Sequence, residues 1–292
     1  MQKPVAIVSY VSTGAYDSNT IDEDAVLSEL LTELEIPNEI IPWSVVGEDW
    51  TRFSSLLIKS VWDYFDFYPE FLDWIAARQE EGIHVLNDLD TIRWNSSKTY
   101  LLEIEAKGFP VIAGKLLEKG SVFDGDSISS SINAATWVVK PLVSGGAKNT
   151  VKIHFDSWQN QSAKINELLE QEDYLVQPFV KEVQEIGEYS LIFFNAKFSH
   201  AVLKTPAKED FRVQHYFGGT ILVIDPIPEL MESCQKLVNE FASESLYVRV
   251  DGVIIDGVFH LMELEMIEPY LFLGLADQAI PNYKAALKAR LK

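Results

Sequence analysis

A single cysteine, Cys234, is all the thiol chemistry that 292 residues carry. That excludes an intrachain disulfide framework and a zinc site built from cysteines alone, and it suits a reducing compartment. Long apolar runs are missing too. No stretch reaches the roughly 18 apolar residues of a membrane helix, because the greasiest segments, near Leu56 and Tyr270, are interrupted by charge or glycine. The apolar run 5–8 is too short for the core of a signal peptide, so no export signal is expected and a cytoplasmic location is. Positive charge is scarce: 24 Lys and Arg face 44 Asp and Glu, a formal net charge of -20. Such a surface opposes broad contact with phosphate backbones or anionic lipid, so neither nucleic acid nor membrane is an expected partner. Any polyanion has to be met by a local cationic pocket. Repeats and low-complexity tracts are absent, and no GxGxxG follows the first apolar run, which removes the dinucleotide fingerprint.

What is present is material for a sizeable core. Hydrophobic residues make up 47% of the chain, and its length suggests roughly two domains. The first ninety or so residues alternate strand-like and helix-like segments. Residues 5–10 are compact and apolar, 22–35 place Val26, Leu27, Leu30, Leu31 and Leu34 at helical spacing, and 39–43 return to strand character. A strand over 56–61, a helix over 69–81 ended by Gly82 and a strand over 83–86 follow, which favours a parallel sheet with helical crossovers. Beyond lie a helix over 96–107, an extended segment 109–113, and a strand 137–140 broken by Pro141. A small-residue tip (Ser144, Gly145, Gly146, Ala147) then leads to a strand over 150–155. A helix over 156–172, a strand over 174–180, a hairpin turning near Asn195 and a helix over 229–244 complete the pattern.

Residues 247–268 hold five acidic side chains from Asp251 onward with no Lys or Arg among them. Asp256-Gly257 marks a hairpin turn. A two-residue loop would put Glu263 opposite Val250 and leave Asp251 on the other face. A three-residue loop, Ile255-Asp256-Gly257, pairs Glu263 with Arg249 and gathers Arg249, Asp251, Glu263 and Glu265 on one face. It leaves Val248, Val250, Ile254, Met262 and Leu264 on the apolar face, and this register is the expected one. Three hard oxygen donors suit Mg²⁺ or Mn²⁺ bridged to substrate phosphates better than zinc, while an acidic face turned to solvent would read the same. Residues 197–215 are locally cationic, with Lys197, Lys204, Lys208 and Arg212. Lys140 ends an otherwise apolar strand, where it either meets an anion or snorkels to the surface. The loop 144–147 could cradle phosphate through backbone N–H groups or be an ordinary turn.

Taken in order, these pieces resemble the ATP-grasp superfamily over residues 96–270. The resemblance is carried by Val139-Lys140-Pro141, Ser144-Gly145-Gly146, Val176-Gln177-Pro178-Phe179-Val180, Asp210-Phe211-Arg212 with Gly218-Gly219, and Arg249-Val250-Asp251 followed by Glu263-Leu264-Glu265. Within it the chain is most similar to the glutathione-synthetase and ribosomal-protein-glutamate-ligase branch, and more narrowly to the D-cycloserine ligase group. The narrower likeness rests on Trp62-Asp63-Tyr64, on Arg93-Trp94-Asn95 through Lys98 and Tyr100-Leu101, on Gly187-Glu188, and on Ile267-Glu268-Pro269-Tyr270-Leu271.

The resemblance implies an α/β (α+β) chain: a Rossmann-like pre-ATP-grasp domain over 1–95, a lid subdomain over 96–175, and a C-terminal subdomain with the metal-binding hairpin over 176–292. It implies an ATP-dependent ligase that joins a small carboxylate to an amine through an acyl phosphate. ATP would lie against Lys98 and Lys140, under the loop Ser144, Gly145, Gly146, Ala147, with its adenine along Gln177, Pro178, Phe179 and Val180 and its ribose at Glu188. Asp251, Glu263 and Glu265 would hold two Mg²⁺, with Mn²⁺ an alternative, and Glu265 stands where the family often has Asn. Arg212, Lys204 and Arg249 would be the catalytic cations. The substrate pocket would lie between the N-terminal domain and residues 204–219, with His200, His215, Tyr216, Trp62 and Tyr64 as candidates. Lys59 occupies a position where the cycloserine group tends to have arginine, so that group's substrate is not implied. An ATP-grasp kinase, a non-catalytic nucleotide-binding regulator and a homo-oligomer stay open.

Overall fold

The computed structural model describes residues 2–12, 22–207 and 218–291. Its first sheet is parallel, with strands β1 (Val5–Ser9), β2 (Asn38–Pro42), β3 (Ser55–Ile58) and β4 (Val85–Leu86) in the order β2-β1-β3-β4. Helix α1 (Glu23–Glu33) follows β1, and its N-cap Asp22 accepts from the backbone N–H groups of Asp24 and Ala25. Helix α2 (Tyr68–Glu80) connects β3 to β4. Alternation along β1 explains why its sequence is continuously apolar. Val5 and Ile7 pack with Leu27, Leu30 and Leu31 of α1. Ala6 and Val8 pack on the other face with Trp43, Phe71 and Trp74. Both faces are covered, as a parallel sheet requires.

After β4 the chain makes two short helices, one before the range 96–107 read as a helix and one within it. These are α3 (Leu89–Asn95), capped by Asp88, and α4 (Tyr100–Ala106). Residues 109–113 are extended but join no sheet beyond a single parallel bridge, Val111 to Leu261. The second sheet is antiparallel, in the order β5-β8-β6-β7: β5 (Lys115–Leu117), β6 (Thr136–Pro141), β7 (Val151–His154) and β8 (Tyr174–Pro178). Helix α5 (Gly125–Ser131) lies between β5 and β6, and the helix expected over 156–172 is α6 (Gln159–Leu169), preceded by one 3₁₀ turn. Trp137, Val139, Ile153, Ile165, Leu169 and Val176 form a core of their own.

Helix α7 (Glu182–Glu185) is a single turn leading into the third sheet. That sheet is antiparallel in the order β11-β10-β9-β12-β13, with β9 (Glu188–Phe194), β10 (Lys197–Thr205) and β11 (Thr220–Ile224). Helix α8 (Pro228–Phe241) precedes its last two strands, β12 (Tyr247–Ile255) and β13 (Val258–Glu265), and α9 (Ala279–Arg290) closes the described chain. Asn195 and Ala196 both take positive φ, 48° and 58°, and make the tight turn of the β9–β10 hairpin. Cys234 is buried beneath this sheet with Leu230, Leu237 and Val238.

Two buried asparagines fasten the first sheet's unit to the β12–β13 hairpin. Asn87 donates to the carbonyls of Tyr247 (2.9 Å) and Met266 (2.7 Å) and accepts from the N–H of Leu246. Asn95 donates to Leu264 O (2.6 Å) and accepts from Met266 N (2.9 Å). Both amides satisfy backbone groups that no ladder reaches at the strand ends.

Candidate functional site

A cavity of about 740 Å³ opens where the three sheets meet, lined by residues from 62 to 272. Strand alternation decides which side chains reach it. Along β6, Trp137 and Val139 point into the core under α6, so Val138 and Lys140 face the cavity. Along β12, Val248 and Val250 enter the core with Cys234, leaving Arg249 and Asp251 on the cavity side.

The β12–β13 register corrects the three-residue loop expected from sequence. Ile255 pairs with Val258, so the loop has two residues, Asp256 (φ 50°) and Gly257 (φ 82°), the geometry of a type I′ turn. A bulge then shifts the register between Asp251 and Gly252, and Asp251 faces Glu263 while Arg249 faces Glu265. Met262 is the extra residue. It leaves the apolar face assigned to it and lines the cavity beside Val253, Ile112 and Val180. Thus the four charged side chains share one face, through a bulge rather than a longer turn. Gly252 sits at this irregularity because a Cβ there would lie 2.3 Å from His260 O.

The charged lining is balanced. Lys98, Lys140, Lys148, Lys204 and Arg249 meet Glu188, Asp251, Glu263, Glu265 and Glu268 in a chain otherwise strongly acidic. Lys140 Nζ lies 3.3 Å from Glu263 and is only 9% exposed, so it does not snorkel. Lys98 donates to Ser144 O (2.9 Å) and Ser144 Oγ (3.2 Å), with Glu263 at 3.9 Å. Lys204 is 2.5 Å from Glu188 and 3.7 Å from Asp251. Arg249 holds Asp251 through Nε and Nη2 (2.8 Å), bonds Glu265, and donates Nη1 to Tyr270 O (2.9 Å). Ser190 also donates to Asp251.

These contacts set the protonation states. Burial works to raise the Asp251 pKa, but Arg249 and Lys204 outweigh it and hold it down to about 2. Burial likewise opposes charge on Glu263, and Lys98 with Lys140 keep it below its ordinary value. Burial lowers Lys140 in spite of Glu263. For Lys204 burial is outweighed by Asp251 and Glu188, and its pKa rises. Burial pushes Glu265 up to about 8, although Arg249 opposes it, and Glu268 up to about 7.

The remaining candidates fall into three groups. Ser144, Gly145, Gly146 and Ala147 line the cavity together with Gln177, Pro178, Phe179 and Val180. Gln177 reaches back to Ile112 O, and Lys152 Nζ stands 3.5 Å over the Phe179 ring. The loop is latched to the first sheet's unit: Lys148 pairs with Asp66, and a Cβ on Gly145 would lie 2.5 Å from the Phe65 ring. Trp62 and Tyr64 line the cavity, and Tyr64 also packs into the core with Phe71 and Trp74. His200 does not line the cavity. It is 1% exposed, with Nε2 donating to Leu271 O and Nδ1 beside Ser199 Oγ. Arg212, His215 and Tyr216 lie outside the described residues. Lys59 is also away from the cavity, fully buried between Glu23 (3.0 Å) and Pro269 O (2.9 Å). Sequence reasoning missed the roles of Phe65, Asp66 and Lys148; the latch joins residues some eighty positions apart, and no local spacing marks it.

Among the described residues no three His, Cys, Asp or Glu side chains converge as a metal nest. The carboxylates of Asp251, Glu263 and Glu265 face Arg249 and Lys140 instead. The donor set itself, three carboxylates on one face of a strand pair, fits a hard divalent cation once those cations turn to an anionic ligand.

Comparison with known proteins bears on this site. Residues 5–87 match the family described as the N-terminal domain of D-cycloserine synthetase DcsG. The cycloserine biosynthesis protein DcsG of Streptomyces lavendulae is 25% identical over 292 residues, covering 91% of this chain and 93% of that protein. The crystal structure of D-cycloserine synthetase DcsG matches with a TM-score of 0.84 and 26% identity over 99% of each chain. An ATP-grasp ligase, PsnB, complexed with a phosphomimetic variant of its minimal precursor, Mg and ADP, matches with a TM-score of 0.65 and 14% identity over 100% of each chain. The chain has the ATP-grasp fold.

Proposed function

We infer that this ATP-grasp chain, related along its length to a D-cycloserine synthetase, is an ATP-dependent ligase joining a small amino-acid-like carboxylate to an amine. The observation that carries the reading is the convergence of Lys98, Lys140, Lys204 and Arg249 with Asp251, Glu263 and Glu265 in one cavity between three sheets. Four cations, each less than a tenth exposed, face carboxylates of the same cavity and are costly to desolvate, so the lining suits a ligand that brings more negative charge than those carboxylates. A nucleoside triphosphate is such a ligand.

In this reading Lys98 and Lys140 turn from Glu263 to the phosphates, and Gln177, Pro178, Phe179 and Val180 carry the adenine. Glu188 exchanges Lys204 for the ribose hydroxyls. Asp251, Glu263 and Glu265 would hold two Mg²⁺, with Mn²⁺ able to substitute, and cations bound there would neutralise charge on the transferring phosphoryl group. The substrate carboxylate oxygen attacks the γ-phosphorus and ADP leaves. The amine then attacks the acyl carbonyl of the acyl phosphate, and phosphate departs with that oxygen. Arg249 and Lys204 stabilise the developing negative charge, and Arg212 contacts the transferred group. The loop 144–147 with its Lys148–Asp66 latch shields the acyl phosphate from water. Residues 1–95 act as the wall on the substrate side, 96–175 as the lid and 176–292 as the metal-binding base. ADP release screened against carboxylic acids, with and without a second amine, tests the reading. Amide plus phosphate supports it, and a stable phosphorylated hydroxyl compound would make the chain a kinase.

A further inference from the structure

Of the five carboxylates lining the cavity, four are matched to cations of the same cavity: Glu188 to Lys204, Asp251 and Glu265 to Arg249, and Glu263 to Lys140. Glu268 is the fifth: among the described residues its carboxylate forms no ion pair and bonds no other side chain, having only its own backbone N–H beside it, with Lys98 and Arg249 acting on it at longer range. The neighbouring cations are committed elsewhere. Lys98 is held by Ser144 and Arg249 by Asp251, Glu265 and Tyr270 O. The backbone around Glu268 is nonetheless firmly placed: its carbonyl accepts from Trp62 Nε1 at 3.0 Å, and the next carbonyl, Pro269 O, accepts from Lys59 Nζ at 2.9 Å. Trp62, Tyr64 and Tyr270 line the same cavity. A half-buried carboxylate fixed at its backbone, in a cavity that three aromatic side chains also line, is a receptor for an organic cation, since the rings attract positive charge as well.

We propose that Glu268 recognises a primary ammonium group on the substrate, so that the ligase selects amino acids over their deaminated counterparts. The proposal rests on the ligase reading and adds the substrate's charge to it. The recognition is binding alone: no bond is made or broken at Glu268. It is a specificity residue, distinct from the phosphate-binding lysines and from the three carboxylates assigned to Mg²⁺.

The test is ADP release by the full chain with Mg-ATP, using L- and D-amino acids paired with their deaminated counterparts, alanine with propionate and serine with 3-hydroxypropionate among them. The wild type should prefer an amino acid to its deaminated partner by about tenfold or more in kcat/KM, the size of one charge-assisted contact. Glu268→Gln should erase that preference by raising the KM for the amino acid about tenfold, with the KM for ATP and the Mg²⁺ requirement within about twofold of wild type. Glu268→Asp should restore part of the preference. An unchanged amino-acid KM in Glu268→Gln overturns the inference. So does a raised Mg²⁺ requirement at constant amino-acid KM, which would make Glu268 a metal ligand. ADP release that occurs but ignores the ammonium defeats this inference alone, whereas no ADP release with any acid defeats the ligase reading beneath it.

Discussion

Lys59→Met should destabilise the protein by about 3 kcal/mol, the lower end of what breaking a buried ion pair costs. The structure sets the figure. Lys59 and Glu23 side chains are 0% and 1% exposed and 3.0 Å apart, so removing the ammonium strands a carboxylate away from water. Two features moderate the loss. Glu23 keeps the backbone N–H groups of Leu271 (2.9 Å) and Leu273 (3.1 Å), and methionine refills most of the lysine's volume. Removing both charges, with Glu23→Gln in the same chain, should recover part of the loss, giving a coupling of about 1–3 kcal/mol in a double-mutant cycle. Urea unfolding followed by tryptophan fluorescence reads all three variants. A single variant within about 1 kcal/mol of wild type, the worth of an exposed pair, would refute the reasoning. So would a double variant as unstable as the sum of the singles.

Lys140→Ala should weaken ATP binding by about tenfold or more, since a hydrogen bond to a charged group carries roughly 1.5–3 kcal/mol; calorimetry with unchanged affinity would reduce Lys140 to a partner of Glu263. Gly145→Val places carbon where the Phe65 ring stands, so turnover should fall more than the unfolding midpoint, and full activity would remove the lid role. Metal-free stability should decline as pH rises from about 4.5 towards 8. Glu265 and Glu268 have raised folded pKa values, about 8 and about 7, so the folded state holds their protons more tightly and loses that advantage as they ionise. Thermal melts in chelator across that range should show a shallower decline for Glu265→Gln, and an identical slope would contradict the assignment.

The parallel sheet and its helices were legible because β1 and α1 carry their burial in their periodicity: Val5 and Ile7 face one core, Ala6 and Val8 the other. The gathering of Arg249, Asp251, Glu263 and Glu265 on one face was legible from alternation, while the bulge at Met262 that achieves it was not. A bulge is stabilised by tertiary packing, here the close approach of Gly252 to His260 O, and leaves no periodic signature. The helix read over 96–107 starts only at Tyr100, because Lys98 N bonds Leu142 O and the lysine side chain turns to Ser144, and the separate helix α3 before it was not read. His200 was expected near the substrate pocket and does share a face of β10 with Lys204, but it lies four residues further along the strand, where the carbonyl of Leu271 covers it in the core. Asn87, Asn95 and the bond from Lys59 to Pro269 O act between segments more than 150 residues apart, and local pattern is blind to them.

The ligase reading stands on the fate of one oxygen atom. A carboxylate substrate labelled with ¹⁸O, turned over with Mg-ATP and its amine partner, should deliver one labelled oxygen to the released phosphate, detected by mass spectrometry, because that oxygen bridges carbon and phosphorus in the acyl phosphate. Phosphate free of label in the presence of product, or ADP formed with the γ-phosphoryl group retained on a substrate hydroxyl, would contradict it.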